Sequence, residues 1–255
     1  MSSPLATPWI RLFRPNPSAT IRLFCFPYAG SGPSAFKTWP SMLRGDIEVC
    51  AIHYPGREMR SQEPSFRSLA ELQEAIVPAM LPWLDKPFVF FGYSMGALIS
   101  FELARTLTAE TGLKPEHAFF VAASAPHLIE PRPIHELPDA EFLGELVKLN
   151  GIPQEVLDRA DLIEYMLPIL RTDFKVCETY KYSGGTPLQC PVTVFGGEQD
   201  PRVDRARLEA WALHSSMYFS SMLFPGDHFF IRTAERTLLR AVVRELEPLL
   251  QALPS

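Results

Sequence analysis

The feature that most constrains the fold is a serine motif that directly follows an apolar run. Residues 88–96 read FVFFGYSMG, which ends in the form G-x-S-x-G and leads into a helix-forming segment. A serine at a sharp strand-to-helix corner needs small neighbours two residues before and two after it, and Gly92 and Gly96 supply them. The corner projects the Ser94 hydroxyl from the sheet, and the N–H of Met95 at the helix start can face an oxyanion. The motif predicts a nucleophile elbow, and the competing interpretation is a chance match in an ordinary turn.

Length and charge narrow the class of protein. A chain of 255 residues suits one α/β domain with an insertion, so we predict a single domain over 1–255. The net charge is −5 and no basic stripe is interleaved with aromatic residues, so nucleic-acid binding is not expected. There is neither a signal-like N-terminus nor an apolar stretch of about 18 residues. We therefore expect a cytoplasmic protein without membrane association.

Cysteine and histidine spacing gives no sign of a metal site. Cys25, Cys50, Cys177 and Cys190 are scattered without C-x-x-C spacing, so we expect reduced and mostly buried thiols. The six histidines form neither H-E-x-x-H nor a Cys/His cluster. The sequence predicts no metal and no cofactor.

Short apolar runs alternate with helix-period segments along most of the chain. The runs predict buried strands over 21–26, 47–53, 88–91, 118–122, 192–195 and 218–224, with an antiparallel strand near 9–13. The segments between them predict helices over 66–84, 95–110, 203–213 and 234–249. This alternation predicts an α/β fold with a mostly parallel sheet and helices on both faces.

One segment, from about 130 to 185, breaks the alternation. It has no strand pattern, and its periodicity predicts helices over 139–149, 154–158 and 161–180. Its place in the chain puts it above the C-terminal ends of the strands, where ligands bind in open α/β sheets. We predict a helical lid at about 130–185, and the alternative is an inert layer whose leucines fill core.

A serine nucleophile needs a base, and the base needs a carboxylate that fixes its tautomer. In this fold class the chain order is serine, acid, histidine. Asp200 follows the strand at 192–195, and His228 follows the last strand, so both side chains should reach the same rim as Ser94. The sequence therefore predicts the catalytic set Ser94, Asp200 and His228.

Other acids and histidines compete for these roles. Glu198 lies nearer the strand and Asp204 is placed in the next helix, whereas Asp200 precedes a proline that favours a fixed, non-helical backbone. Asp227 adjoins His228 too closely for an easy contact and should cap the following helix. His127 and His214 are interpreted as residues without a catalytic role, with His127 as a candidate for the pocket wall.

The loop after the first parallel strand carries two competing interpretations. It reads FPYAGSG over residues 26–32, and the N–H of Ala29 is the candidate second oxyanion donor. The same loop fits G-x-G-x-x-A, a dinucleotide fingerprint. The next strand has no acid at its tip, although Arg57 there could take a 2′-phosphate. A dinucleotide site would also leave Ser94 and its partners unexplained.

With these residues in place, the chain resembles the type II thioesterases of nonribosomal peptide and polyketide synthases. The matching segments cover most of residues 20–230 and read LFCFPYAGSG, HYPGREMR, FFGYSMGALISFELAR, LPDAEFLGELVKLNGIPQEVL, LPILRTDFKVCETY, CPVTVFGGEQDPRV and FPGDHFF. The serine motif alone is shared across the α/β-hydrolase superfamily, whereas HYPGREMR and the lid segment are far more specific. One departure is that AGSG stands where the family more often has AGG.

The resemblance implies an α/β-hydrolase fold and a serine enzyme that removes unwanted acyl groups from carrier proteins. It implies acyl or peptidyl carrier protein domains as partners, the phosphopantetheine arm as carrier of the substrate, and a monomer without a cofactor. It maps the nucleophile to Ser94, the acid to Asp200, the base to His228, and the oxyanion donors to Ala29 and Met95. The residues by themselves reach only acyl transfer by serine.

Alternatives remain open at this level. One is a carboxylester hydrolase for a small ester, another is a medium-chain fatty-acyl thioesterase, and a third is a non-catalytic binding protein with a hydrolase fold. Arg57 and Arg60 either meet the carrier's phosphate or acidic surface, or belong to a solvated surface, or fix their own loop through salt bridges.

Overall fold

The structure, a computed structural model, describes residues 7–129, 133–152 and 154–253. Within these ranges, one sheet contains seven strands in the order β1-β3-β2-β4-β5-β6-β7. Only β1 is antiparallel, to β3, and the other neighbours are parallel. The strands are β1 Ile10–Arg11, β2 Ile21–Phe26, β3 Ile47–Ile52, β4 Phe88–Tyr93, β5 His117–Val121, β6 Val192–Gly197 and β7 Phe219–Phe224.

Helices follow most strands, as parallel pairing requires a crossover. They are α1 Trp39–Met42, α2 Leu69–Met80, α3 Met95–Thr111, α4 Asp139–Lys148, α5 Gln154–Leu157, α6 Ala160–Glu178, α7 Arg205–Glu209, α8 Phe230–Thr233 and α9 Glu235–Ala252. Short 3-10 turns end two predicted helices early, at Leu81–Trp83 after α2 and at Ala210–His214 after α7. The first of these turns contains Pro82, which cannot donate the hydrogen bond that a continuing helix needs.

Apolar side chains cover both faces of the sheet. Successive residues of a strand point to opposite faces, so Phe24 and Phe26 pack with α2 and α3, whereas Leu23 and Cys25 pack with α1 and α9. All six residues of β4 are buried, which explains why this strand reads as a continuous apolar run. The prediction of a mostly parallel sheet between two helical layers is confirmed.

The regular secondary structure of the inserted segment is helical in the residues that the structure describes. Residues 130–132 and 153 of the predicted lid lie outside the described residues. The described part contains α4, α5, α6 and a 3-10 turn at Ile134–Glu136, joined and followed by irregular segments, with no strand among the described residues up to 185. Phe142, Leu146, Ile152, Leu170 and Phe174 form a separate apolar cluster that packs against Ala29. The insertion therefore lies over the loop that follows β2.

No helix in the described ranges is long and apolar enough to cross a membrane.

Candidate active site

Ser94 stands at the corner between β4 and α3. Its backbone has φ 53° and ψ −112°, a conformation that L-residues adopt only when the surroundings impose it. The N–H of Ser94 donates to the carbonyl of Val121 at 2.7 Å, which ties the corner to β5. A Cβ on Gly92 would overlap the backbone of Gly96 and Ala97, and one on Gly96 would overlap the backbone of Phe26. Only glycine fits at either position of the motif, as a nucleophile elbow requires.

The structure brings Ser94, Asp200 and His228 together. His228 Nε2 lies 3.0 Å from the hydroxyl oxygen of Ser94, and its Nδ1 lies 2.7 Å from Asp200 Oδ2. The Asp200 side chain is fully buried and that of His228 is 7% exposed. With the proton on Nδ1, the ring donates to the carboxylate and can accept the proton of the serine hydroxyl.

Asp200 is held by backbone groups of its own loop. Its Oδ1 accepts the N–H of Arg202 at 2.8 Å and of Val203 at 3.3 Å, so Oδ2 is left for the histidine. The rivals lie elsewhere: Glu198 is exposed, and Asp204 caps α7 by accepting the Arg207 N–H at 2.8 Å. Asp204 thus precedes the helix in which the sequence placed it.

Two contacts fix the His228 loop, and only the one from Asp227 is indicated by the sequence. The Tyr93 hydroxyl donates to the His228 carbonyl at 2.6 Å, and burial raises the pKa of this phenol well above its usual value, so it stays a donor. Asp227 accepts the N–H of Phe229, directly before α8, at 2.7 Å. Tyr93 was missed because it lies inside the apolar run of β4, where an aromatic residue is expected as core.

The other two candidate histidines contact each other away from the serine. His127 Nδ1 and His214 Nε2 are 2.7 Å apart, His127 is exposed and His214 is buried. Burial, with a smaller effect of His127, lowers the pKa of His214 to about 4. The suggestion that His127 lines the pocket is wrong, because Leu128 and Ile129 line it instead.

The loop after β2 forms a tight turn beside Ser94. The Ser31 N–H donates to the Tyr28 carbonyl at 3.0 Å, and Gly30 has φ 76°, as the third residue of a type II turn requires. Ala29, the second residue of this turn, lines a cavity of the protein together with Ser94 and Met95. Met95 is the first residue of α3, so helix geometry leaves its N–H without a partner inside the helix.

The HYPGREMR segment braces this turn from the side. Arg57 donates to the Ser31 carbonyl at 3.1 Å and pairs with Asp173, while Glu58 accepts the Ser34 hydroxyl at 2.6 Å. Arg60 donates to its neighbour Glu63 and to a backbone carbonyl of its own loop. Because Arg57 and Arg60 are only 4% and 7% exposed, their interpretation as loop-fixing ion pairs is confirmed, and their docking to a carrier surface is wrong.

The dinucleotide interpretation of the same loop is also wrong. The glycines lead into a single 3-10 turn, Pro33–Phe36, and not into a long helix whose N-terminus could hold a pyrophosphate. Arg57, the candidate partner of a 2′-phosphate, is already paired with Asp173.

Two recesses meet at Ser94. The larger has a volume of about 430 Å³ and a mixed wall that includes Trp211, Leu128, Arg202 and Glu178. The smaller, about 30 Å³, lies beside the inserted helices and is lined mainly by apolar residues: Leu146, Leu149, Ile152, Leu170, Phe174 and Phe229. A wider groove of about 750 Å³ between α2, α3 and α6 contains none of the candidate catalytic residues. Of these three cavities, the two recesses contain Ser94, so they form the candidate active site.

The four cysteines are unpaired thiols. Cys25, Cys50 and Cys190 are buried, and the half-buried Cys177 lines the larger recess. Burial raises the pKa of Cys177 and of Cys190 to about 12, so few of these thiols ionise near neutral pH. Across the described parts of the chain, no three His, Cys, Asp or Glu side chains come together as a metal site.

The sheet order, the serine corner, and the acid and histidine on successive loops define an α/β-hydrolase fold with a serine-hydrolase arrangement of side chains. Comparison with known families matches the thioesterase domain over residues 21–250. The chain therefore belongs to the thioesterase family, and this membership makes it a thioester hydrolase.

Individual relatives indicate which branch of the thioesterase family the chain resembles. The gramicidin S biosynthesis protein GrsT of Aneurinibacillus migulanus is 42% identical over 232 residues, 91% of each chain. The thioesterase PikA5 of Streptomyces venezuelae is 37% identical and covers 88% of this chain and 80% of its own length. The solved type II thioesterase BorB, from the borrelidin biosynthetic cluster, is 31% identical with a TM-score of 0.88, over 96% of this chain and 100% of its own. The predicted fold and the resemblance to type II thioesterases are confirmed.

Proposed function

We propose that this thioesterase hydrolyses stalled or aberrant acyl groups from the phosphopantetheine arm of acyl or peptidyl carrier protein domains. The observation that carries the proposal is the hydrogen-bonded series Ser94–His228–Asp200 at the meeting point of two recesses. Its relatives GrsT and BorB belong by name to natural-product biosynthesis, which supports a synthase as the source of the substrate.

The proposed acylation step uses five groups. His228 takes the Ser94 proton, and the serine oxygen attacks the thioester carbonyl. The N–H groups of Ala29 and Met95 stabilise the oxyanion that develops there. Asp200 holds the ring tautomer and stabilises the imidazolium.

The leaving group and the second step follow from thioester chemistry. A thiol has a pKa of about 8.5, so it departs with less help from a general acid than an amine needs. Water then attacks the acyl-serine, with His228 again as base, and releases the acid. No step requires a metal or a cofactor.

Carrier-borne substrates suit the shape of the site. A thioester on phosphopantetheine extends in two directions from the reacting carbonyl, and two recesses extend from Ser94. The smaller recess has only about the volume of one water molecule, so in this proposal it widens when the inserted helices move. The insertion over Ala29 acts in this proposal as a lid that closes after the arm enters. We further propose that the enzyme works as a monomer in the cytoplasm, beside its synthase.

The test compares three substrates that carry the same acyl group. Acetyl or propionyl is supplied on a phosphopantetheinyl carrier protein, on a small thiol, and as a p-nitrophenyl ester, with Ser94→Ala as the control. We expect the highest kcat/KM for the carrier protein and loss of activity in Ser94→Ala.

Other outcomes would overturn particular parts of the proposal. Activity confined to the ester would indicate a carboxylester hydrolase. Equal turnover of the carrier and of the small thiol, with a further rise when a medium-chain acyl group replaces acetyl in the same assay, would indicate a fatty-acyl thioesterase. Full activity of Ser94→Ala would exclude the serine mechanism.

A further inference from the structure

A buried ion pair connects the lid to the turn that contains Ala29. Arg57 Nη1 and Nη2 donate to Asp173 Oδ2 and Oδ1 at 2.7 and 2.8 Å, and each side chain is 5% exposed. The partners are 116 positions apart in the sequence, one after β3 and the other on α6. Two parallel hydrogen bonds of this kind fix the orientation of both groups as well as their distance.

Stability alone does not account for a charged pair at this place. Taking both charges out of water costs several kcal/mol per ion, and apolar side chains of similar volume are often as stable or more stable there. We therefore look for an explanation in the other hydrogen bonds that the two side chains make.

The polar atoms of Asp173 and Arg57 hold the backbone of the turn. The N–H of Gly30 donates to Asp173 Oδ2 at 2.7 Å, and the carbonyl of Ser31 accepts from Arg57 Nη1 at 3.1 Å. The Gly30 N–H belongs to the peptide unit that follows Ala29. The carboxylate thus fixes the plane of the peptide next to the candidate oxyanion donor.

Apolar side chains of α6 also contact the turn at Gly30. Leu170, one turn before Asp173 on α6, lies where a Cβ of Gly30 would be. Phe174, which follows Asp173, lines both recesses beside Ser94. Helix α6 therefore contacts the turn with a carboxylate and an aliphatic side chain, and it contacts the recesses with an aromatic ring.

We propose that Asp173 and Arg57 are positioning residues that hold the Ala29 N–H in its oxyanion-binding orientation. The oxyanion hole is then complete only when helix α6 of the proposed lid is packed against the turn. The inference rests on the proposed serine mechanism. It assigns Asp173 no contact with substrate, because its effect passes through the Gly30 peptide.

The test uses two double variants that both remove the ion pair. Removing one partner alone would leave a buried, unpaired charge and endanger folding. Arg57→Met with Asp173→Asn keeps an amide oxygen that can accept the Gly30 N–H. Arg57→Met with Asp173→Leu removes that acceptor in an equally uncharged pair.

The readouts are kcat, KM, the melting temperature, and the affinity for a trifluoromethyl ketone that mimics the tetrahedral oxyanion. We expect kcat of the leucine double variant to be about 10- to 100-fold below that of the asparagine double variant, since misplacing an oxyanion donor costs rate of this order. KM should change by no more than about twofold, and ketone affinity should fall in parallel with kcat. Equal kcat in the two double variants, or a loss confined to KM, would overturn the inference.

A lid control separates this effect from general loosening. Arg171→Met removes the contacts of α6 with the His135 and Leu137 carbonyls, with Asp139 and with the ring of Phe142, and none of these contacts involves the Gly30 peptide. This variant should keep the wild-type ratio of ketone affinity to substrate affinity. A fall in that ratio as large as in the leucine double variant would contradict a role through Gly30.

The assay uses a p-nitrophenyl ester, so it does not depend on the carrier protein. If Ser94→Ala stays fully active in this assay, the serine mechanism of the proposed function fails. If Ser94→Ala is inactive and the two double variants are equal, only the positioning inference fails.

Discussion

At the scale of single residues, the two glycines of the serine motif are steric requirements. A Cβ on Gly96 would meet the backbone of Phe26 in β2, which cannot move without disturbing the sheet. By contrast, the space around Gly144 in α4 is open. Gly96 and Gly144 therefore form a matched pair for mutation.

We predict that Gly96→Ala lowers the free energy of unfolding by about 1–3 kcal/mol, the usual cost of overpacking, and displaces Ser94 so that activity falls. Gly144→Ala should raise the free energy of unfolding by about 0.5–1 kcal/mol, because alanine loses less backbone entropy in a helix. Urea unfolding and ester hydrolysis of both variants provide the measurement. A fully stable and active Gly96→Ala would refute the steric account.

The role proposed for Asp200 gives a second prediction at this scale. Asp200→Asn can still accept the N–H of Arg202, so the loop should fold, but its amide would favour the wrong tautomer of His228. We expect kcat to fall about 10³- to 10⁴-fold with an unchanged melting temperature. Asp204→Asn is the control and should retain wild-type kcat. The reverse pattern would assign the acid to Asp204.

At the scale of elements, the inserted helical segment, the proposed lid, is attached unevenly to the rest of the molecule. The second half of α6 is joined to the body by Asp173 and by Val176, which lies in the main core. The segment after α4 reaches the His228 loop through an exposed contact, from the Asn150 amide to Asp227 at 3.0 Å. The lid therefore has a firmly held helix and a lightly held one.

This difference predicts unequal amide hydrogen exchange within the lid. Amides of α4 and α5 should exchange at least about tenfold faster than those of residues 169–178, because fewer buried contacts oppose local opening there. Mass spectrometry of peptic peptides after deuterium labelling can measure both. Equal protection of the two regions would show that the lid opens as one unit.

The elements also show where sequence reasoning is sufficient. Buried parallel strands read as continuous apolar runs, so β2 was predicted with its observed ends and β3 and β7 to within one residue. Strand order and loop position then bring Ser94, Asp200 and His228 to one edge. The Arg57–Asp173 pair could not be predicted, because nothing local marks two charged residues so far apart as partners.

At the scale of the whole molecule, a buried histidine makes stability depend on pH. His117 lies in β5 with its Nε2 2.9 Å from the Thr193 hydroxyl, and burial lowers its pKa to about 4. In the unfolded chain the pKa is about 6.5. Between these values the unfolded state binds a proton that the folded state does not, so stability is lost as pH falls from about 6.5 toward 4.

We predict that this histidine alone removes about 2 kcal/mol of the free energy of unfolding between pH 7 and pH 5. His117→Gln, which cannot titrate but can still bond to Thr193, should lose correspondingly less over the same interval. Urea denaturation at the two pH values measures the difference. Identical pH dependence of wild type and variant would disprove the assignment.

The central claim is that Ser94 carries the acyl group taken from a carrier protein. Its most direct test is to mix the enzyme with acetyl-phosphopantetheinyl carrier protein, quench in acid within milliseconds to seconds, and locate the acetyl group by peptide mass spectrometry. The account predicts acetyl on the peptide that contains Ser94, and none in Ser94→Ala. Acetyl on Cys177, which lines the same recess, or substrate consumption that persists in Ser94→Ala would contradict it.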